Sequence, residues 1–248
     1  MMFKKCLGIF AVIGLMAACN FTEEIYLNDD GSGKLSIHFD GNELMSMIGE
    51  MDSLQHEEVI DSTIVFKHLL EEKKDSISKL SQEEQAKLKK LEPFSMRIAM
   101  NSKAAQMQFE LLADFEEIGK MDDAFNAFQN ASSLSPTGEL GAGQSMPMIT
   151  EESPTKINYS FIGNTFSRTT EIINQELFQK RIDSLASAEM FLSGSTYTFK
   201  YHFPRKVKSV NIEGATFSLD GKTMTYEVSM LDMTKTPEAI DLLVELED

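Results

Sequence analysis

The sequence predicts an α+β fold: an antiparallel sheet built from repeated strand-turn-strand-helix units, with helices packed on one face. Three observations lead there. Apolar and polar residues alternate with period two over many short stretches, which marks strands with one buried and one wet face. Pairs of glycine, asparagine and aspartate join several of these stretches at hairpin spacing. Stripes of helical period follow three of the hairpins, as amphipathic helices covering a sheet require.

The first eighteen residues stand apart. Lys4 and Lys5 precede an apolar run from Leu7 to Ala18, and the small pair Ala17-Ala18 leads into Cys19. A basic start, a short apolar stretch and small residues at the exit are the parts of a secretory signal. Twelve helical residues span roughly 18 Å, well short of the roughly 30 Å hydrocarbon core, so a membrane-crossing helix fails on length. The expected organisation is a signal peptide over 1–18 and a single α+β domain over 19–248. Loss of the signal removes two lysines and no acid, so the formal charge of −16 becomes −18. So acidic a body argues against nucleic acid or an anionic lipid surface as electrostatic partner.

Along the mature chain, the turn Asn28–Gly33 separates a first strand from a second in which Leu35, Ile37 and Phe39 alternate with Ser36, His38 and Asp40. Leu44, Met47, Ile48 and Met51 then form a helical stripe, with Asp40 and Glu43 spaced as an N-cap and its reciprocal acid. Residues 54–92 read as a charged helical excursion. Phe66, Leu69, Leu70, Ile77 and Leu80 supply its stripe, and Ser81 to Glu84 forms a capping box; Thr63 to Phe66 fits extended chain equally well.

Strands follow near 94–101 and 105–113, linked by Asn101-Ser102-Lys103, the second carrying Met107, Phe109 and Leu111 on one face. Ile118, Met121, Phe125 and Phe128 fall on the next stripe, with Asp114 and Glu117 at cap spacing. Residues 130–155, rich in Ser, Gly, Pro and Thr, read as a mobile loop. Ile157, Tyr159 and Phe161 lead to the turn Gly163-Asn164, and Phe178, Ile182 and Leu185 mark a helix. The repeated unit is thus expected at about 22–51, 94–129 and 156–190. Three more alternating stretches complete the chain: Tyr197 to Phe203, Met224 to Met230 after the turn Asp220-Gly221, and Ile240 to Leu246.

No catalytic, metal or nucleotide motif survives a spacing check, and no cofactor is expected. Asn28, Asp30, Ser32 and Gly33 match early positions of a calcium loop, but its twelfth position, a bidentate glutamate, is Phe39. A hairpin turn explains the same residues. Gly221-Lys222-Thr223 ends like a phosphate-binding loop, yet Thr216 stands where that loop needs glycine. Gly138, Gly141 and Gly143 have the wrong spacing for a dinucleotide fingerprint. His38, His56, His68 and His202 are scattered, without metal-ligand spacing. Met45/Met47 and Met146/Met148 are soft-ligand pairs whose plainer reading is adaptable core. The stripe Tyr197, Phe199, Tyr201 and Phe203 reads as a sheet's inner face or as the wall of a lipid-sized pocket.

Cys6 lies within the signal, which leaves Cys19 as the one cysteine of the mature chain and rules out an internal disulfide. The run Leu15-Met16-Ala17-Ala18-Cys19 resembles the bacterial lipobox, with Met16 where leucine is usual. A thiolate is the nucleophile suited to accept a diacylglyceryl group. The resemblance implies cleavage before Cys19, lipid (palmitate among the acyl groups) attached there, and a membrane as partner through that lipid. Asn20 in place of the aspartate that retains many Gram-negative lipoproteins at the inner membrane implies the outer membrane, in either leaflet. The C-terminal stretch from Phe203-Pro204 through Asp220-Gly221 to Thr225-Tyr226-Glu227 resembles the LppM-type lipoprotein domain and transfers no site.

The expected function is therefore a lipid-anchored cell-envelope protein, a non-catalytic module binding an envelope protein or an apolar ligand. A lipid carrier would need a cavity behind the aromatic stripe. An envelope hydrolase would need two acids brought together in a polar cleft.

Overall fold

A computed structural model describes residues 20–43, 45–46, 59–121, 153–192 and 194–248. It shows a mixed helix and strand fold dominated by sheet. Strands β1 (Asn20–Leu27) and β2 (Gly33–Asp40) form the first hairpin. Its turn is closed by the Asn28 N–H on the Ser32 carbonyl at 2.8 Å, while Asp30 Oδ1 accepts the Ser32 N–H at 3.0 Å. Asp30 is thus engaged with the loop's own backbone, as the hairpin reading of Asn28–Gly33 requires. Gly33 is needed for a different reason: a Cβ there would lie 1.9 Å from the Tyr26 carbonyl oxygen.

Of the charged excursion expected at 54–92, residues 54–58 lie outside the described residues, and its described helices begin at Phe66. Residues from Val59 to Val65 form strand β3, and the helices α1 (Phe66–Glu72), α2 (Lys74–Ile77) and α3 (Gln82–Lys89) follow it. Of the two readings of Thr63 to Phe66, the extended one holds up to Val65. Ser81 and Glu84 form the reciprocal cap: Ser81 Oγ accepts the Glu84 N–H, and Glu84 Oε2 accepts the Ser81 N–H at 2.8 Å. Strands β4 (Phe94–Asn101) and β5 (Gln106–Phe115) make the second hairpin. β5 runs through Asp114, so that residue is no helix cap. Pairing with β2 and burial of Phe115 keep the chain extended, and a 3-10 turn at Ile118–Lys120 follows, beyond which residues 122–152 lie outside the described residues.

A third hairpin, β6 (Thr155–Ile162) and β7 (Thr165–Ile172), turns on Gly163 at φ +61°, the position where a type II′ turn demands positive φ. Helix α4 (Gln175–Leu192) follows, with Asn174 Oδ1 accepting the Leu177 N–H at its start and Phe178 and Leu185 buried. The chain ends with β8 (Thr196–His202), β9 (Val207–Val210), β10 (Thr216–Phe217), β11 (Thr223–Ser229), the short helix α5 (Met230–Lys235) and β12 (Leu242–Leu246). Met230 opens α5 and does not continue the strand.

The strands divide into two sheets. One has eight strands in the order β10-β11-β8-β1-β2-β5-β4-β3; the other has four, β6-β7-β12-β9. Two expectations change here. The third hairpin does not join the first two but founds the second sheet. And β1 pairs with β8 in parallel, Asn20 opposite Thr196 and Tyr26 opposite His202, in an otherwise antiparallel sheet. The chain can reach β8 in that direction because β6, β7 and α4 intervene, supplying the long crossover that parallel neighbours need. Inner-facing residues of both sheets share one core, where Phe166 of β7 meets Tyr201 and Phe203 edge-on at 5.3 and 5.5 Å. A second sheet, not a layer of helices alone, therefore covers this part of the inner face. The helical stripes expected at 44–51 and 121–128 and the loop expected at 130–155 lie largely outside the described residues, as do the expected signal at 1–18 and Cys19.

The large sheet has two distinguishable ends. At one lie Asn20, Asp40 and Thr196. At the other, Arg205 donates to Asp29 Oδ1 at 3.0 Å, to Asn164 Oδ1 at 2.6 Å and to the Gly163 carbonyl at 3.3 Å, tying together the turns of both sheets.

Candidate functional site

Strand β1 turns Phe21, Glu23, Ile25 and Leu27 toward the core, so a carboxylate stands where the pleat calls for an apolar side chain. Glu23 has no exposed surface. Across the core, β7 presents Phe166, Arg168 and Thr170 in the same phase, and Arg168 is buried to within 2% of full. The two meet: Arg168 Nε lies 3.2 Å from Glu23 Oε1 and Nη2 lies 3.4 Å from Oε2. Three phenols complete the shell. Tyr159 of β6 and Tyr201 of β8 donate to Oε1 at 2.8 and 2.5 Å, and Tyr197 of β8 donates to Oε2 at 2.8 Å.

Five donors converge on a carboxylate that offers about four lone-pair directions, so its acceptor capacity is filled. Arg168 is held in turn by Thr170 Oγ1 at 3.3 Å and by the face of Phe199, 4.8 Å from the ring centre. Burial pushes the Glu23 carboxyl up, but the Arg168 charge and the three hydroxyls outweigh it and hold its pKa below the ordinary glutamate value. Burial pulls Arg168 down, yet the Glu23 charge more than compensates, and the guanidinium stays protonated. Burial and then the neighbouring carboxylate drive all three tyrosines well up. At neutral pH the cluster therefore has one protonation state: carboxylate, guanidinium and three neutral phenols. It is built to join the sheets, because breaking it strands a charge, and no member holds a loosely bound proton for general acid–base work.

The next residue faces the other way. Glu24 lies on the outer face of the sheet, half-buried, with Lys200 Nζ at 2.9 Å, His202 Nε2 at 2.7 Å and the Tyr26 hydroxyl at 3.0 Å. His202 stacks flat on Tyr26, with ring centres 3.9 Å apart, and its Nδ1 lies 3.0 Å from Thr223 Oγ1. Partial burial is the largest single influence and raises the Glu24 carboxyl, but hydrogen bonds from Lys200, His202 and Tyr26 together outweigh it, and the net shift is downward. This is a ladder of polar side chains across β1, β8 and β11, wet on one side.

The residues singled out by spacing do not assemble. His38 is on the outer face of β2 and His68 on α1; His56, Met47 and the pair Met146/Met148 lie outside the described residues, as does Cys19. Lys222 donates to the Pro204 carbonyl at 2.6 Å in the β10–β11 turn. Among the described residues no three His, Cys, Asp or Glu side chains are grouped as metal ligands would be. The aromatic stripe of β8 is buried, packed against Phe166, Arg168 and Glu23 at the positions described here, so that face is core. The residues that do assemble, Glu23 with Arg168 and the tyrosines, were singled out by no motif. The available signal was a charge in phase with Ile25 and Leu27, repeated by Arg168 in phase with Phe166.

No protein-family model and no curated protein matches the chain. Among solved structures it is similar to the folded domain of the LppM protein of Mycobacterium tuberculosis, at 6% identity and a TM-score of 0.37, over 93% of this chain and 91% of that one.

Proposed function

We propose that this is a lipid-anchored cell-envelope protein, held through lipid on Cys19, whose folded body is a non-catalytic binding or structural module. The observation that carries the reading is the order Lys4-Lys5, apolar run, Ala17-Ala18, Cys19, which supplies every part a lipidation signal needs. The sole cysteine of the mature chain then has its explanation in acylation. Two or more acyl chains hold a protein firmly where one would not. Asn20 favours the outer membrane as destination. The non-catalytic reading draws support from the buried ionisable groups, which are consumed in holding one another.

Metabolic labelling with palmitate tests the anchor. Wild-type protein takes up label, and Cys19→Ala protein takes up none and migrates as uncleaved precursor. Label that persists in Cys19→Ala, or a mature N-terminus elsewhere by mass spectrometry, overturns the assignment.

A further inference from the structure

We infer that the Asn20 end of the eight-stranded sheet lies against the bilayer, with the β4–β5 turn, among the described turns of that sheet, extending past the row of Asn20 toward it; this rests on the anchor proposed at Cys19. β1 begins at Asn20, one residue after the acylated position, so the two Cα atoms are about 3.8 Å apart. Asn20 is already paired on both sides, with Asp40 of β2 and Thr196 of β8, and Thr196 Oγ1 donates to Asn20 Oδ1 at 2.9 Å. The lipid is thus fixed to the interior of a sheet with no tether between them. Its point of attachment determines which end of the body meets the membrane.

Register identifies the neighbours of that point. Asn20 stands opposite Asp40, Asp40 opposite Gln108, and Gln108 opposite Ala99. β4 and β5 continue past this row to Asn101 and Gln106, two further residues, or about 7 Å along the strands. They turn through Ser102-Lys103-Ala104-Ala105, a tip closed by the Ala104 N–H on Asn101 Oδ1 at 3.1 Å. Beside it Val59, opposite Asn101 on edge strand β3, is 69% exposed. Lys103 is the tip's one charged residue.

The chain contains no tryptophan, which gives a clean reporter. Full-length Ala104→Trp and Leu219→Trp proteins, matured through their own signal, are placed in phosphatidylethanolamine/phosphatidylglycerol vesicles with brominated acyl chains. Leu219 is fully exposed in the β10–β11 turn at the far end. The Ala104→Trp protein should lose about half of its emission at interfacial depth, and the Leu219→Trp protein almost none. Val59→Trp serves as a second near-end probe should Ala104→Trp fold poorly. Equal quenching at both ends, or stronger quenching from position 219, in protein shown by mass spectrometry to be acylated overturns the orientation and leaves the anchor standing. Product without lipid overturns the anchor, and the orientation falls with it.

Discussion

Glu23 and Glu24 are consecutive residues of one strand, each bonded to side chains from neighbouring strands, yet their surroundings differ in kind. Glu23 is sealed between two sheets and bound by a guanidinium and three phenols. Glu24 meets a lysine, a histidine and a tyrosine on a wet face. Both carboxyls are shifted downward, but only the first is a structural commitment. Water can replace the partners of Glu24, whereas nothing can replace those of Glu23 without opening the core.

The largest effect expected from this contrast is that of Glu23→Ala. It leaves Arg168 charged and alone in the core and should cost about 3–5 kcal/mol, read as a lowered urea midpoint. The variant Glu23→Leu/Arg168→Met, with Tyr159, Tyr197 and Tyr201 also changed to Phe so that no hydroxyl loses its acceptor, removes both charges and should recover much of that loss; a variant as unstable as the single one would mean that the intact cluster, and not its stranded half, sets stability. Acid acts on the same carboxyl. Because the folded-state pKa of Glu23 lies below the ordinary 4.5, its contribution is complete above 4.5 and is lost as pH falls through the lower folded value. Urea titrations at stepwise lower pH should show this decline, and Glu23→Gln should flatten it.

A smaller loss is expected for Tyr201→Phe, which deletes one hydroxyl from a charged acceptor: about 1.5–3 kcal/mol, with the fold retained by circular dichroism. Smallest is Glu24→Gln, at under about 1 kcal/mol and weakened further by salt. A loss at Glu24 as large as that at Glu23 would erase the distinction between the two faces.

Much of the local structure was legible in the sequence because it is written in neighbouring residues. Period two marked β2, β5, β6 and β8, positive-φ glycines marked the turns at Gly31 and Gly163, and Ser81 with Glu84 announced α3. What periodicity cannot encode is which strand pairs with which. Nothing near Asn20 points to Thr196, so the parallel β1–β8 pair and the division into two sheets stayed hidden. The buried cluster was missed for a related reason. Glu23 and Arg168 are each polar by type and apolar by phase, and their meaning appears only once 145 positions of sequence separation close to 3.2 Å. The proposal at Cys19, by contrast, rests wholly on adjacent residues.

The parallel pairing also sets an order of events. β1 is among the first strands made, but its partner β8 is finished some 170 residues later, and the Glu23 shell is incomplete until Tyr197 and Tyr201 arrive with it. Until then the edge of β1 that β8 will cover offers unpaired backbone groups to any extended chain nearby. Closing that pair is a long-range step, of the kind that folds slowly, and the nascent chain is exposed along that edge until it forms. A truncation before Thr196 would strand both the first strand and its carboxylate, so the fold is sealed by its last third.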